Sequence, residues 1–207
     1  MLNKLTIIYY FIIITCLTGC SSTKVQVYLR DDVKSDKSNI VAFPALLLNN
    51  NGSISPENTE YSNLLIDGIF SKKWSESIKE GTVYPVPKKV LDGIPNAYKA
   101  LDTVITNFDS VSAIEQTTGL TNLFDTITKQ IGDGAFAFAL FFENEDQYKS
   151  SNQLNFNMGL FDTKKMTWKW ITKAKYEGPP IPYEMATQDT VDKSFEELYN
   201  QNILEEE

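Results

Sequence analysis

The chain has 207 residues, 27 acidic and 19 basic, with a formal net charge of -8, 42% hydrophobic residues and no histidine. That length and apolar share build one sizeable core, which excludes disorder as the main state, and the acidic balance has the wrong sign for a nucleic-acid binder. Without histidine there is no Ser-His-Asp triad, no Cys-His pair and no imidazole-ligated zinc, and neither common phosphate-cradling glycine loop occurs.

Lys4 precedes an apolar run over residues 5–17, which stops at Thr18-Gly19-Cys20-Ser21-Ser22. Its 13 residues fall short of the ~20 a helix needs to cross hydrocarbon, and the basic-then-apolar order is that of a secretory signal. Leu17-Thr18-Gly19-Cys20 resembles the lipobox of bacterial lipoproteins, in which a leucine stands three before the cysteine and small residues admit the peptidase. The resemblance implies that residues 1–19 are a signal peptide, that Cys16 leaves with it, and that the Cys20 sulfur carries a diacylglyceryl group. No thiol would then remain for a disulfide, a nucleophile or a metal site. A single acyl chain anchors only marginally, so the two or three of a lipoprotein would hold the protein firmly on a membrane. Serine rather than aspartate after the cysteine implies, by the sorting rule of enteric-type bacteria, the outer membrane facing the periplasm.

Residues 20–39 are mostly polar and mixed in charge and read as a tether, with a short strand where Val25-Gln26-Val27-Tyr28-Leu29 alternates. A single α/β domain is expected over residues 40–204, followed by the acidic tail 205–207. Ile40-Val41-Ala42-Phe43 is a buried strand ended by Pro44, and Ser55-Pro56-Glu57 starts a helix carrying Tyr61, Leu65, Ile69 and Trp74. Residues 83–86, interrupted by Pro85, fit only an edge strand or an extended loop. Ala97, Ala100, Leu101, Val104, Ile105 and Phe108 follow the helical series without a miss; 111–114 reads as a strand, and Leu120, Leu123, Phe124, Ile127 and Ile131 as a second helix stopped by Gly132-Asp133-Gly134.

The period then changes from 3.6 to 2. Residues 135–142 put Phe136, Phe138, Leu140 and Phe142 on one face and mostly alanine on the other, the pattern of a central strand covered on both sides. Two further alternating runs, 154–161 and 166–175, flank Asp162-Thr163-Lys164-Lys165 and predict an antiparallel hairpin. Val191, Phe195, Leu198 and Tyr199 mark a last amphipathic helix. The expected architecture is a mixed sheet with about four helices, in two or three layers.

Candidate sites are few. Glu143, Glu145 and Asp146 lack the spacing of a calcium loop and read as a charged turn. Trp168 and Trp170, in line with Met166, read as core; the alternative is a stacking platform for a sugar or other small ligand, with Trp74 or Trp168 in a cleft. If those rings face inward, the pleat puts Lys169, Lys173 and Lys175 beside Asn155 and Asn157 as a basic stripe. Such a stripe either discourages edge pairing or docks an acidic partner. The order of elements, with the hairpin Leu160-Phe161-Asp162-Thr163-Lys164-Lys165-Met166-Thr167-Trp168, resembles the small α/β domains of envelope lipoproteins similar to LpoB and of TolB amino-terminal and CsgG-type domains. This resemblance implies a non-catalytic accessory or scaffold that binds another envelope protein. No catalytic set, metal site or cofactor is expected.

Overall fold

The computed structural model describes residues 22–30, 39–49, 52–54, 72–74, 76, 81–108 and 112–204. Its central strand is β5 (Ala135–Phe141), buried along its whole length. Alternation sends Phe136, Phe138 and Leu140 into one apolar cluster and Ala135, Ala137, Ala139 and Phe141 into another, so neither face of the strand meets water. Rings fill the first side: Phe43 stacks on Phe138 at 4.5 Å and Phe124 meets Phe136 edge-on at 4.9 Å.

A seven-stranded mixed sheet surrounds β5. On one side β2 (Ile40–Ala42) pairs parallel with its first half and β3 (Leu46–Leu47) with its second. Between them lies Phe43-Pro44-Ala45, where the proline has no N–H for the ladder. Pro44 therefore ends β2 as expected, and the same edge of β5 is taken up again two residues later. β4 (Val83–Pro85) closes this side parallel to β2, the expected edge position for a proline-containing strand. On the other side β6 (Gln153–Asp162) and β7 (Thr167–Glu177) form the expected antiparallel hairpin, its turn held by the Asp162 Oδ1, which accepts from the amides of Lys164 and Lys165 at 2.9 and 3.0 Å.

The tether reading of residues 20–39 changes here. Eight of those residues form β1 (Ser22–Leu29), paired antiparallel to β7 along its full length, with Val25 and Val27 packed against the core. Within the described residues the sheet thus includes Ser22–Leu29 as well as the strands from residue 40 on. A local alternation reveals a strand's period, but not that β7 has an edge waiting for it.

Helices cover both faces and make three layers. On the phenylalanine side lie α1 (Lys88–Asp92), α2 (Ala97–Thr106) and α3 (Thr118–Gln130), which bury Leu91, Leu101, Val104, Leu120, Leu123 and Ile127. The Thr117 hydroxyl caps α3 by accepting from the Leu120 amide at 3.3 Å. On the alanine side lie α4 (Glu145–Ser151) and α5 (Tyr183–Asn200), with Tyr148, Ala186, Val191, Phe195 and Leu198 inside. Trp74, fully buried, stacks on Trp170 at 5.7 Å on this side. The strand expected at 111–114 reduces, within the described residues, to one bridge between Ala113 and Thr167. Tyr61, Leu65, Ile69, the start of their helix, Val111, the signal segment with Leu17 to Cys20, and the tail 205–207 lie outside the described residues.

The hairpin breaks strict alternation once. Phe161 pairs with Trp168 and Leu160 with Trp170, leaving Lys169 as an extra residue on β7. This bulge reverses the pleat. Trp168 joins the cluster of Phe108 and Phe138, whereas Trp170 joins the opposite one, so the expectation that the two indoles share a face fails through one inserted residue. Gly159 makes room for the arrangement, because a Cβ there would stand 2.9 Å from the Trp168 ring.

Phe138 touches Phe43, Phe161 and Trp168 and is fully buried. Phe138→Ala should cost about 3 to 5 kcal/mol in urea unfolding, and a loss below ~1 kcal/mol would contradict a core placement.

Candidate functional site

The phenylalanine-side helices stop short of one corner of the sheet, where β6, β7 and β1 leave a polar surface. The register builds it in rows: Lys173 lies between Gln26 and Asn157, and Lys175 between Lys24 and Asn155. With Phe142 these residues line an open groove of about 380 Å³. Two of the three predicted lysines therefore meet there, beside the two asparagines expected as neighbours.

The third does not. Lys169, on the bulge, lines a different groove of about 450 Å³ with Asn39, Asp133, Asp162 and Lys164, at the end of the sheet where the β6–β7 turn lies. The predicted stripe assumed unbroken alternation, and the bulge divides it. In its place the groove contains Lys24, which sequence reasoning missed. Its signal was present in the alternation of β1, but a strand's partner is a tertiary fact.

Local contacts hold the groove in shape. The Lys173 ammonium sits 5.5 Å from the centre of the Tyr28 ring, a cation–π contact. Lys175 forms an ion pair with Glu177. Both Asn155 nitrogens donate to the Glu143 carboxylate, backbone N to Oε2 and Nδ2 to Oε1, each at 2.6 Å. Burial pushes the Glu143 carboxyl above the usual carboxylate range, against the opposing pull of those two bonds and of Lys175. Glu143 is thus a strut that orients Asn155. Its neighbours Glu145 and Asp146 form no turn between strands but the first turn of α4, closed by a capping box between Asn144 and Gln147.

The donors of this groove are ammonium and amide groups, suited to carboxylates and other acidic or carbonyl-rich surfaces. Trp74 and Trp168 are fully buried. Among the described residues there is no cluster of potential metal ligands, and no helix is long and apolar enough to cross a membrane.

The fold and this corner define a three-layer α/β domain with one open, lysine-bearing sheet surface. No protein-family model matches the chain, and no curated protein matches it. Among solved structures, the PelC dodecamer from Paraburkholderia phytofirmans is similar at a TM-score of 0.43 and 7% identity, covering 84% of this chain and 95% of that one. A single-substitution variant of the same dodecamer is similar at 0.40 and 5%, over the same shares.

The Glu143 environment has a measurable signature. With its folded pKa raised, Glu143 contributes stability that is fully present below the unfolded pKa and is lost as pH rises through the folded value. In urea unfolding across about pH 4 to 7, the advantage of the natural chain over Glu143→Gln should therefore shrink as pH rises. An advantage that grows with pH would mean that the bonds from Asn155 outweigh burial.

Proposed function

We propose that this chain is a lipid-anchored protein of the bacterial cell envelope, held on the membrane through acyl chains on Cys20. In this reading it acts as a non-catalytic accessory or scaffold that binds another envelope protein. The observation that carries the reading is Leu17-Thr18-Gly19-Cys20 at the close of a 13-residue apolar run behind Lys4. Ser21 suits an outer-membrane location facing the periplasm.

The partner surface proposed here is the groove of Lys24, Lys173 and Lys175, corrected from the predicted set by exchanging Lys169 for Lys24. An acidic protein that gathers lysines on one exposed corner offers an acidic partner a steering field, which speeds and orients encounter more than it tightens the complex. A small-ligand or glycan reading built on Trp74 or Trp168 has lost its aromatic platform, since both rings lie inside the core.

Two measurements test this. The intact mass of the membrane-extracted protein should correspond to a chain starting at Cys20 with acyl groups, and Cys20→Ser should release the protein from the membrane fraction. An unmodified Cys20 would sink the anchor. Crosslinking in the native envelope should capture a specific protein, and reversing Lys24, Lys173 and Lys175 to glutamate should weaken capture most at low salt while leaving the fold intact. Unchanged capture by the folded triple variant would move the partner surface elsewhere.

A further inference from the structure

Cys20 stands two residues before Ser22, the first residue of β1, so the covalent chain keeps their Cα atoms within about 7 Å. Ser22 is paired with Glu177, and Glu177 with Gln153, which forms one row across three strands at this end of the sheet. From that row β7 runs into Gly178-Pro179-Pro180-Ile181-Pro182, in which all three prolines are exposed. Two buried tyrosines brace the loop: the Tyr176 hydroxyl donates to the Pro179 carbonyl at 2.7 Å and the Tyr148 hydroxyl to the Ile181 carbonyl at 3.0 Å.

The loop leads into α5, whose first turn presents Met185 at 58% exposure, the highest of the large hydrophobic side chains described. α5 is fastened to the same end of β1, because the Thr23 hydroxyl donates to Asp189 Oδ2 at 2.5 Å, and Asp189 lies one turn beyond Met185 on the same helix face. An exposed, braced, proline-rich tip next to an apolar methionine has few N–H groups to strip of water when it enters a less polar layer. The charges around it are mixed, with Lys24 and Lys175 against Glu177 and Glu184. Anchor length and apolar surface, not net charge, therefore set its preference. Tyr28 and Leu29, the other exposed large apolar residues among those described, sit at the opposite end of β1, about 20 Å from Ser22.

We propose that the Gly178-to-Pro182 loop and Met185 rest in the headgroup layer of the bilayer that holds Cys20, which sets the β6–β7 turn about 30 Å from that surface. The proposal rests on acylation of Cys20. Once residues 1–19 are removed and Cys20 is acylated, the chain has no other thiol, so a fluorophore can be placed at one introduced cysteine. Met185→Cys reports on the tip, Gln153→Cys on the same end of the sheet, and Lys164→Cys on the distant turn, where the side chain is 83% exposed.

The acylated protein would be placed in phosphatidylcholine vesicles carrying headgroup spin-labelled lipid. Reporters at 185 and 153 should lose most of their emission to the quencher, and the reporter at 164 should keep most of its own. Equal or greater quenching at 164 in a protein whose mass shows acylation would overturn the docking while leaving the anchor in place. A mass without acyl groups would remove both the anchor and this proposal.

Discussion

β5 has no water on either face, and every other element is placed by that constraint. Each of its side chains must be handed to something else: the rings of Phe136 and Phe138 to α2, α3 and Phe43, the small side chains of Ala135, Ala137 and Ala139 to the layer containing Trp74 and α5. The asymmetry is one of volume. Alanines on one face let large groups from outside approach the backbone, which is where Trp74 and Trp170 stack, while the phenylalanine face supplies its own bulk and meets Phe124 together with Leu, Val and Ile from the helices. Parallel neighbours occupy one edge of β5 and an antiparallel hairpin the other, which makes the sheet mixed.

The second organising feature is the bulge at Lys169. Without it, Trp168 and Trp170 would point into one cluster; with it, the hairpin sends one indole to each side of the sheet. The same inserted residue parts Lys169 from Lys173 and Lys175, so a packing requirement of the interior decides which cations share an outer surface. β1 then completes that surface by adding Lys24, Gln26 and Tyr28 to the rows laid down by the hairpin.

Elements whose identity depends on their own residues were legible in the chain: the helical stripe beginning at Ala97, the alternation of β5, the hairpin around Asp162 and the edge placement forced by Pro85. What escaped was relational. The bulge is a matter of how ten residues of one strand and eleven of another are counted against each other, and no single-strand pattern displays it. That β1 belongs to the sheet depended on β7 having an unpaired edge. Of the candidate site, Lys173, Lys175, Asn155 and Asn157 were read in the right relation, Lys169 was misplaced by the bulge, and Lys24 was hidden in a segment whose polarity resembles a linker. Glu143 looked like a solvated turn because burial of a carboxylate, compensated by Asn155, leaves no mark in composition.

β1 has a mechanical meaning that its pairing diagram already contains. It runs antiparallel to β7 over eight registered pairs, its ladder extended by the bond from the Arg30 amide to the Lys169 carbonyl, and its first residue is Ser22. A pull on Ser22 along the strand axis, with the body of the domain held back, strains the rungs of the ladder together in shear. A pull across the strand would instead open them one at a time, from the end. An edge strand that looks expendable in the sheet is thus a clasp whose grip depends on the direction of the load, strongest when tension runs along the strand.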